Sequence, residues 1–244
     1  MDTTRLNSKH VKIIAHRGLS GIERENTCPA FLAAANRSYF GIETDIHTTR
    51  DGKFVIIHDE TTERVSLGEN NINVEENDYS AVENIVLPDK DGTKIRQDIK
   101  IPLLSEYIAI CKKYEKICIL EVKNAFTDEE IKKLVEEIKT TEYIQNVIFI
   151  SFELENCLKL RKILPEHEIQ WLIRKDIEVT DELIKIFVDN KLDIDIYYKS
   201  LNKENIEKLH SKGIKINCWT CDNKNDAEDL IELGVDFITT NILE

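Results

Sequence analysis

The chain has 244 residues, 41% apolar and 32% charged, which excludes a disordered chain or a fibre and suits one large α/β domain or two small ones. Its formal net charge of -13 argues against nucleic acid and anionic membrane surfaces as partners, because both require a basic footprint. A small anionic substrate is compatible only where local cations focus the field.

The opening segment Met-Asp-Thr-Thr-Arg-Leu-Asn-Ser-Lys-His lacks the apolar core of a secretory signal, and no later apolar run approaches membrane-spanning length. A cytoplasmic protein is therefore expected, with no stable membrane association. The six cysteines, at 28, 111, 118, 157, 218 and 221, are expected to be reduced thiols. Cys218-Trp-Thr-Cys221 has redox or zinc spacing, but no second pair stands near it to complete a tetrahedral site.

In chain order, Val11 to Ala15 predicts a short buried strand ending at His16-Arg17-Gly18, and Pro29 to Ala35 predicts a helix with proline in its first turn. A strand from Gly41 follows. The Asp51-Gly52 pair then signals a tight turn, and Phe54 to Ile57 a returning hairpin arm. Residues 60–100 form an irregular excursion with a short helical patch near Tyr79 to Ile85. From Pro102 the alternation becomes regular. Strands are predicted at 117–122, 147–150, 169–173, 194–197, 214–219 and 236–239, separated by helices at 128–139, 153–164, 181–189, 203–212 and 225–233 and preceded by one at 104–114. Eight parallel strands alternating with helices predict an α/β fold of the closed (β/α)8 type, the TIM barrel, as a single domain over residues 1–244. The hairpin and the 60–100 insertion fall between strand 2 and helix 2.

A barrel of this type carries its chemistry at the C-terminal ends of its strands. Those ends hold His16 and Arg17, then Glu43 and Asp45, then Glu121 and Lys123, with Trp219 farther round. Glu43 and Asp45 are two residues apart and share one strand face. With a two-residue Asp51-Gly52 turn the hairpin register pairs Asp45 with His58, a three-residue loop shifts that by only one position, and an extra residue between Arg50 and Lys53 would rotate His58 away. Three carboxylates without clustered cysteine or histidine make a hard oxygen site, suited to Mg²⁺ or Ca²⁺. Arg17 and Lys123 would be surplus beside it unless the substrate is anionic, and phosphate is the anion that guanidinium, ammonium and a divalent ion together neutralise. Two histidines can then move protons to the leaving oxygen and from the nucleophile.

These residues resemble the glycerophosphodiester phosphodiesterase family. The resemblance rests on Ala15-His-Arg-Gly18, Glu25-Asn-Thr27, Glu43-x-Asp45, Thr49-x-Asp-Gly52 and Val55-x-x-His-Asp59, and continues through Arg64, Ile101-Pro102, Glu121-Val-Lys123, Ser151-Phe152, Trp219-Thr220 and Gly234-Val-Asp236. It implies a TIM barrel that hydrolyses glycerophosphodiesters to sn-glycerol 3-phosphate and an alcohol, by way of a cyclic phosphate formed by the glycerol 2-hydroxyl. It also implies that His16 and His58 are the acid/base pair, that Glu43, Asp45 and Glu121 hold one divalent cation, and that Arg17 and Lys123 bind phosphate. Trp219 would line the glycerol side. Arg24, Leu103 and Asn241 depart from the family's usual Pro, Thr and Asp, which touches loop geometry and substrate choice.

A lysophospholipase D-like activity and a noncatalytic phosphoester-binding barrel are the competing readings. Small soluble diesters such as glycerophosphocholine or glycerophosphoethanolamine are expected to be preferred over lysolipids. His10, His47, His167 and His210 are expected at the surface or on helices without a role, and Glu25 either caps the first helix or reaches the metal.

Overall fold

A computed structural model describes residues 2–244. Strand β1 (Lys12–Ala15) leads through a loop to helix α1 (Cys28–Ala35), then to β2 (Gly41–Thr48) and the returning arm β3 (Phe54–Ile56). The insertion contributes β4 (Val86–Pro88) and β5 (Ile95–Lys100). Thereafter helices and strands alternate: α2 (Leu104–Lys113), β6 (Ile117–Val122), α3 (Asp128–Thr140), β7 (Val147–Ser151), α4 (Leu154–Ile163), β8 (Ile169–Ile173) and α5 (Asp181–Asn190). The series closes with β9 (Asp193–Tyr197), α6 (Lys203–His210), β10 (Ile216–Trp219), α7 (Lys224–Leu233) and β11 (Phe237–Thr240).

Strand β1 pairs in parallel with both β11 and β2, so the order β1-β2-β6-β7-β8-β9-β10-β11 returns on itself as an eight-stranded (β/α)8 barrel. The strands are short β-branched runs buried on both faces, as parallel strands between a packed interior and a ring of helices must be. The helices are built by local signals. In α3, Ile131, Leu134, Val135 and Ile138 recur at helical spacing and are buried, while Thr127 caps the start by accepting from Glu130 N–H. Each buried Leu or Ile of this kind contributes about 2 kcal/mol of burial.

The hairpin arm is antiparallel to β2, as expected, but its register differs. Ile46 faces Ile56 and Thr48 faces Phe54, so Asp45 lies opposite Ile57 and not His58. The loop is three residues, Arg50 to Gly52. Thr49 N–H donates to Lys53 O at 2.8 Å, Gly52 N–H returns to Thr49 O at 2.8 Å, and Gly52 takes the left-handed conformation (φ 74°) that ends such a loop. Ile57 N–H still bonds Asp45 O, at 3.1 Å, and the chain turns off the sheet at His58.

The arm also has two buried faces. Phe54 and Ile56 join the main core, whereas Val55 and Ile57 join a second cluster with Val65, Val74, Val82, Ile85, Leu87 and Ile99. Residues 60–100 are thus more ordered than the sequence suggests: the expected helical patch is one 3-10 turn, Tyr79–Ala81, and β4 and β5 pair antiparallel.

Candidate active site

The parallel register of β2 with β6 sets Asp45 beside Glu121, and strand alternation brings Glu43 to the same side. One carboxylate oxygen from each of Glu43, Asp45 and Glu121 lies within 4.8 Å of the others. All three residues are buried, at 3%, 0% and 8% exposure, which water cannot compensate. Two cations reach them. Arg17 Nε is 3.3 Å from Asp45 Oδ2, and Lys123 Nζ is 2.7 Å from Glu121 Oε1 and 3.3 Å from Asp45 Oδ1.

Three carboxylates share two cations, and burial with mutual repulsion raises two of the three carboxyls. Burial, with Asp45 and Glu121 adding repulsion, pushes the Glu43 carboxyl well above its usual range. Burial and Asp45 raise Glu121 to about 7 against the opposing pull of Lys123. Burial acts in the same sense on Asp45, but Lys123 and Arg17 together hold it well below the usual carboxylate range.

His16 and His58 flank this cluster. His16 Nε2 stands 3.9 Å from Glu43 Oε2, and its Nδ1 faces Asn241 Oδ1 at 2.8 Å. The amide is itself oriented, because Asn241 Nδ2 donates to Asp222 Oδ2 at 2.6 Å. Burial and the Arg17 charge lower His16 to about 4. His58 Nδ1 faces Asp59 Oδ1 at 2.6 Å, and Arg64 Nε donates to the other Asp59 oxygen at 2.6 Å. Burial lowers His58 too, although Asp45 pulls it back toward the charged form.

The loop after β1 is shaped around the carboxylates. Arg17 adopts φ 54°, a left-handed conformation that turns its backbone N–H onto Glu43 Oε2 at 2.7 Å. Gly18 follows at φ 74°, where a Cβ would come within 2.7 Å of the Ala30 carbonyl carbon, so no other residue fits. Asn26 Nδ2 donates to Asp45 Oδ2 at 2.7 Å while its Oδ1 accepts from Thr44 Oγ1 at 2.7 Å.

A cavity of about 230 Å³ opens beside these groups, lined on one side by His16, Arg17, Glu43, His58 and Glu121. The opposite side is Ile150, Phe152, Leu172 and Trp219, with the Phe152 and Trp219 rings edge to face at 5.6 Å. The structure therefore brings His16, Arg17, Glu43, Asp45, His58, Glu121 and Lys123 together, and sets Trp219 across the cavity from them.

Several residues at the site take roles other than those expected from the sequence. His47, expected to be idle, is 1% exposed and ties the insertion to the site: its Nδ1 meets Glu75 Oε1 at 2.7 Å and its Nε2 meets the His58 carbonyl at 3.2 Å. Glu25 neither caps α1, which Thr27 does, nor joins the carboxylate trio; it bridges Arg17 and Arg64. Asp195 lines the cavity at 1% exposure with Oδ1 unpartnered, a lone acidic residue inside the apolar run Ile194 to Tyr197. Asn26 lies in the Glu25-Asn-Thr27 block and Asn241 is one of the departures, yet the sequence assigns neither a role, because an amide in a loop has many uses. His167 is half-buried on the Val147 carbonyl, while His10 and His210 are exposed, and Cys218 and Cys221 are buried free thiols.

The sequence model of the glycerophosphoryl diester phosphodiesterase family matches residues 16–244. The chain belongs to this family. It is 30% identical over 234 residues to a glycerophosphodiester phosphodiesterase of Caldanaerobacter subterraneus subsp. tengcongensis, across 94% of this chain and 93% of the relative. Among solved structures, an Oleispira antarctica phosphodiesterase in complex with the product sn-glycerol-3-phosphate superposes with TM-score 0.84 at 20% identity, over 98% of this chain and 96% of that one. A glycerophosphodiester phosphodiesterase from Parabacteroides distasonis gives TM-score 0.78 at 23% identity, over 99% and 94%.

As a member of this phosphodiesterase family, the chain accommodates its three departures locally. Arg24 donates to the Pro88 and Asp89 carbonyls, so the side chain that replaces proline fastens the first loop to the insertion. Leu103 occupies the N-cap of α2 with no side-chain oxygen to offer, and Glu106 instead accepts its backbone N–H at 2.9 Å. Asn241 supplies His16 with a neutral partner where an Asp would supply a charged one.

Proposed function

We propose that this phosphodiesterase hydrolyses glycerophosphodiesters to sn-glycerol 3-phosphate and an alcohol in a reaction that depends on one divalent cation, Mg²⁺ or Ca²⁺. The observation that carries the reading is the buried trio of Glu43, Asp45 and Glu121 between two histidines and two cations. The donor set fits such an ion. It is all oxygen, it has more carboxylates than cations, and the buried Asp45 Oδ1 has the Lys123 ammonium at 3.3 Å but no well-formed hydrogen bond. Glu43, Asp45 and Glu121 would hold the ion, which would polarise a phosphoryl oxygen when bound.

The chain's own residues account for the rest. Arg17 and Lys123 stand where a phosphodiester would complete their charge, the former through its forked guanidinium and the latter as a point charge. His16 and His58 each engage an oxygen through Nδ1, which leaves Nε2 of both free for proton transfer, one accepting from the nucleophile and the other donating to the leaving alcohol. The apolar wall excludes water from the opposite side, and Trp219 is assigned to the glycerol moiety; its Nε1 is buried without a partner, a donor available to a hydroxyl.

The same reading takes the whole chain as one catalytic domain with residues 60–100 as an insertion. A cytoplasmic setting is supported by six free cysteines, and among the described residues no helix is long and apolar enough to cross a membrane. The test is release of sn-glycerol 3-phosphate from a panel of soluble diesters and lysolipids. Release from small soluble diesters, with lysolipids cleaved more slowly, is expected. A kinetic preference for a lysolipid overturns the substrate assignment, and failure to release product from any diester overturns the reaction.

A further inference from the structure

An open groove of about 440 Å³ adjoins the cavity and shares Glu121, Phe152 and Trp219 with it. Lys123 lines the groove as well. On the phosphodiester reading above, a substrate with its phosphate at Arg17 and Lys123 has one arm in the cavity and the other in the groove. We propose that the groove receives the leaving alcohol and that Lys175 selects its charge, so that uncharged polyol alcohols are accepted and quaternary ammonium alcohols are disfavoured.

The inference rests on what occupies the aromatic surface that Trp219, which lines the groove, shares with its neighbour Tyr197. Tyr197 and Trp219 stand with ring centres 5.8 Å apart, and an aromatic surface of this kind is what a quaternary ammonium group seeks. Here it is taken. Lys175 Nζ lies 4.5 Å from the Tyr197 ring centre and 5.7 Å from that of Trp219. The other cations along the groove have carboxylate partners: Lys123 faces Glu121 at 2.7 Å and Arg174 faces Glu153 at 3.8 Å. Among the described residues Lys175 has no carboxylate within 4.0 Å. Asp176 borders the groove too; Arg174 Cζ lies 5.9 Å from the Phe152 ring centre, and over Tyr197 and Trp219 the cation is Lys175. A choline group entering here would meet a like charge on the surface it needs, whereas a hydroxyl or carboxylate would meet a hydrogen-bond donor.

The experiment compares kcat/KM for glycerophosphoglycerol and glycerophosphocholine, read as sn-glycerol 3-phosphate release by the full chain with divalent cation present. One unscreened like charge at a solvent-facing site is worth about fivefold to tenfold. The wild type is expected to prefer glycerophosphoglycerol by that factor, Lys175→Arg to keep the preference, and Lys175→Glu to reverse it. Because the readout is a ratio within each protein, a general loss of activity does not mimic the result. Equal use of both diesters by the wild type, or an unchanged ratio in Lys175→Glu, overturns the inference while leaving the reaction standing. No product from either diester would instead refute the reaction on which it rests.

Discussion

The two walls of the cavity come from different arcs of one barrel and obey opposite rules. The wall built on β1, β2, β6 and the end of the hairpin arm packs three buried carboxylates against an arginine, a lysine and two histidines that are each partly exposed. The wall built on β7, β8 and β10 presents Ile150, Phe152, Leu172 and Trp219, which is what the interior of a barrel ordinarily presents. The apolar wall carries no cluster of charges, and its unpartnered buried polar atoms are Trp219 Nε1 and, on the neighbouring β9, Asp195 Oδ1. The charged wall has more carboxylates than cations and keeps two carboxyls above their usual range. Chemistry and stability are thus segregated around the ring.

The comparison breaks most visibly at the histidines. His16→Ala and His58→Ala are each expected to lower kcat by roughly two to four orders of magnitude, with the melting temperature little changed. Steady-state rates beside a melting curve check this, and an unchanged rate in either variant removes that histidine from the mechanism.

The next effect concerns the hairpin. Its register is held by two buried faces, so an extra residue within Arg50 to Gly52 lengthens the loop without moving His58, contrary to what a two-residue turn implies. A glycine inserted between Ile57 and His58 displaces the imidazole instead. That variant should lose on the order of a hundredfold in kcat, and the loop insertion should remain near wild type. Equal losses in both would mean that the loop, not the paired arm, sets the position of His58.

Ligand linkage sharpens the comparison in stability. Mg²⁺ or Ca²⁺ at a hundred times its dissociation constant should stabilise the folded chain by about 2.7 kcal/mol, and Asp45→Asn should shrink the gain. A melting temperature insensitive to either ion argues against the carboxylate trio as its site.

The smallest effect lies on the far wall. Burial, with the Glu121 charge adding to it, pushes the Asp195 carboxyl well above its ordinary 3.8. A carboxyl raised in the folded state stays protonated there while the unfolded one ionises, so it contributes stability at low pH that drains away as pH climbs past 3.8. Asp195→Asn removes that drain, and its stability advantage should grow with pH by at most about 1.4 kcal/mol per unit. Denaturant unfolding at several pH values measures the slope, and parallel curves for the two proteins would show that Asp195 is ionised in the fold.

The barrel was legible because each strand is a short β-branched run and the helices carry their own caps, as at Thr127, Thr180 and Asn202. The charged wall was legible because strand alternation puts Glu43 and Asp45 on one face whatever their neighbours do. The hairpin register was missed by one residue because Asp51-Gly52 serves two-residue and three-residue loops alike, and the choice is made by Thr49 bonding Lys53. The β4–β5 pair was hidden by the largely exposed, charged strand Ile95–Lys100, whose only deeply buried residue is Ile99. His47, Asn26 and Asn241 act through partners distant in sequence, and Lys175 is one lysine among many until Tyr197 and Trp219 are seen beneath it.

The most direct test of the proposed cation dependence is the rate of sn-glycerol 3-phosphate release from a soluble glycerophosphodiester in excess chelator, and again after Mg²⁺ or Ca²⁺ is returned. The rate should fall to background and recover with the ion, because Arg17 and Lys123 alone cannot compensate Glu43, Asp45 and Glu121. Full turnover in excess chelator would contradict the account.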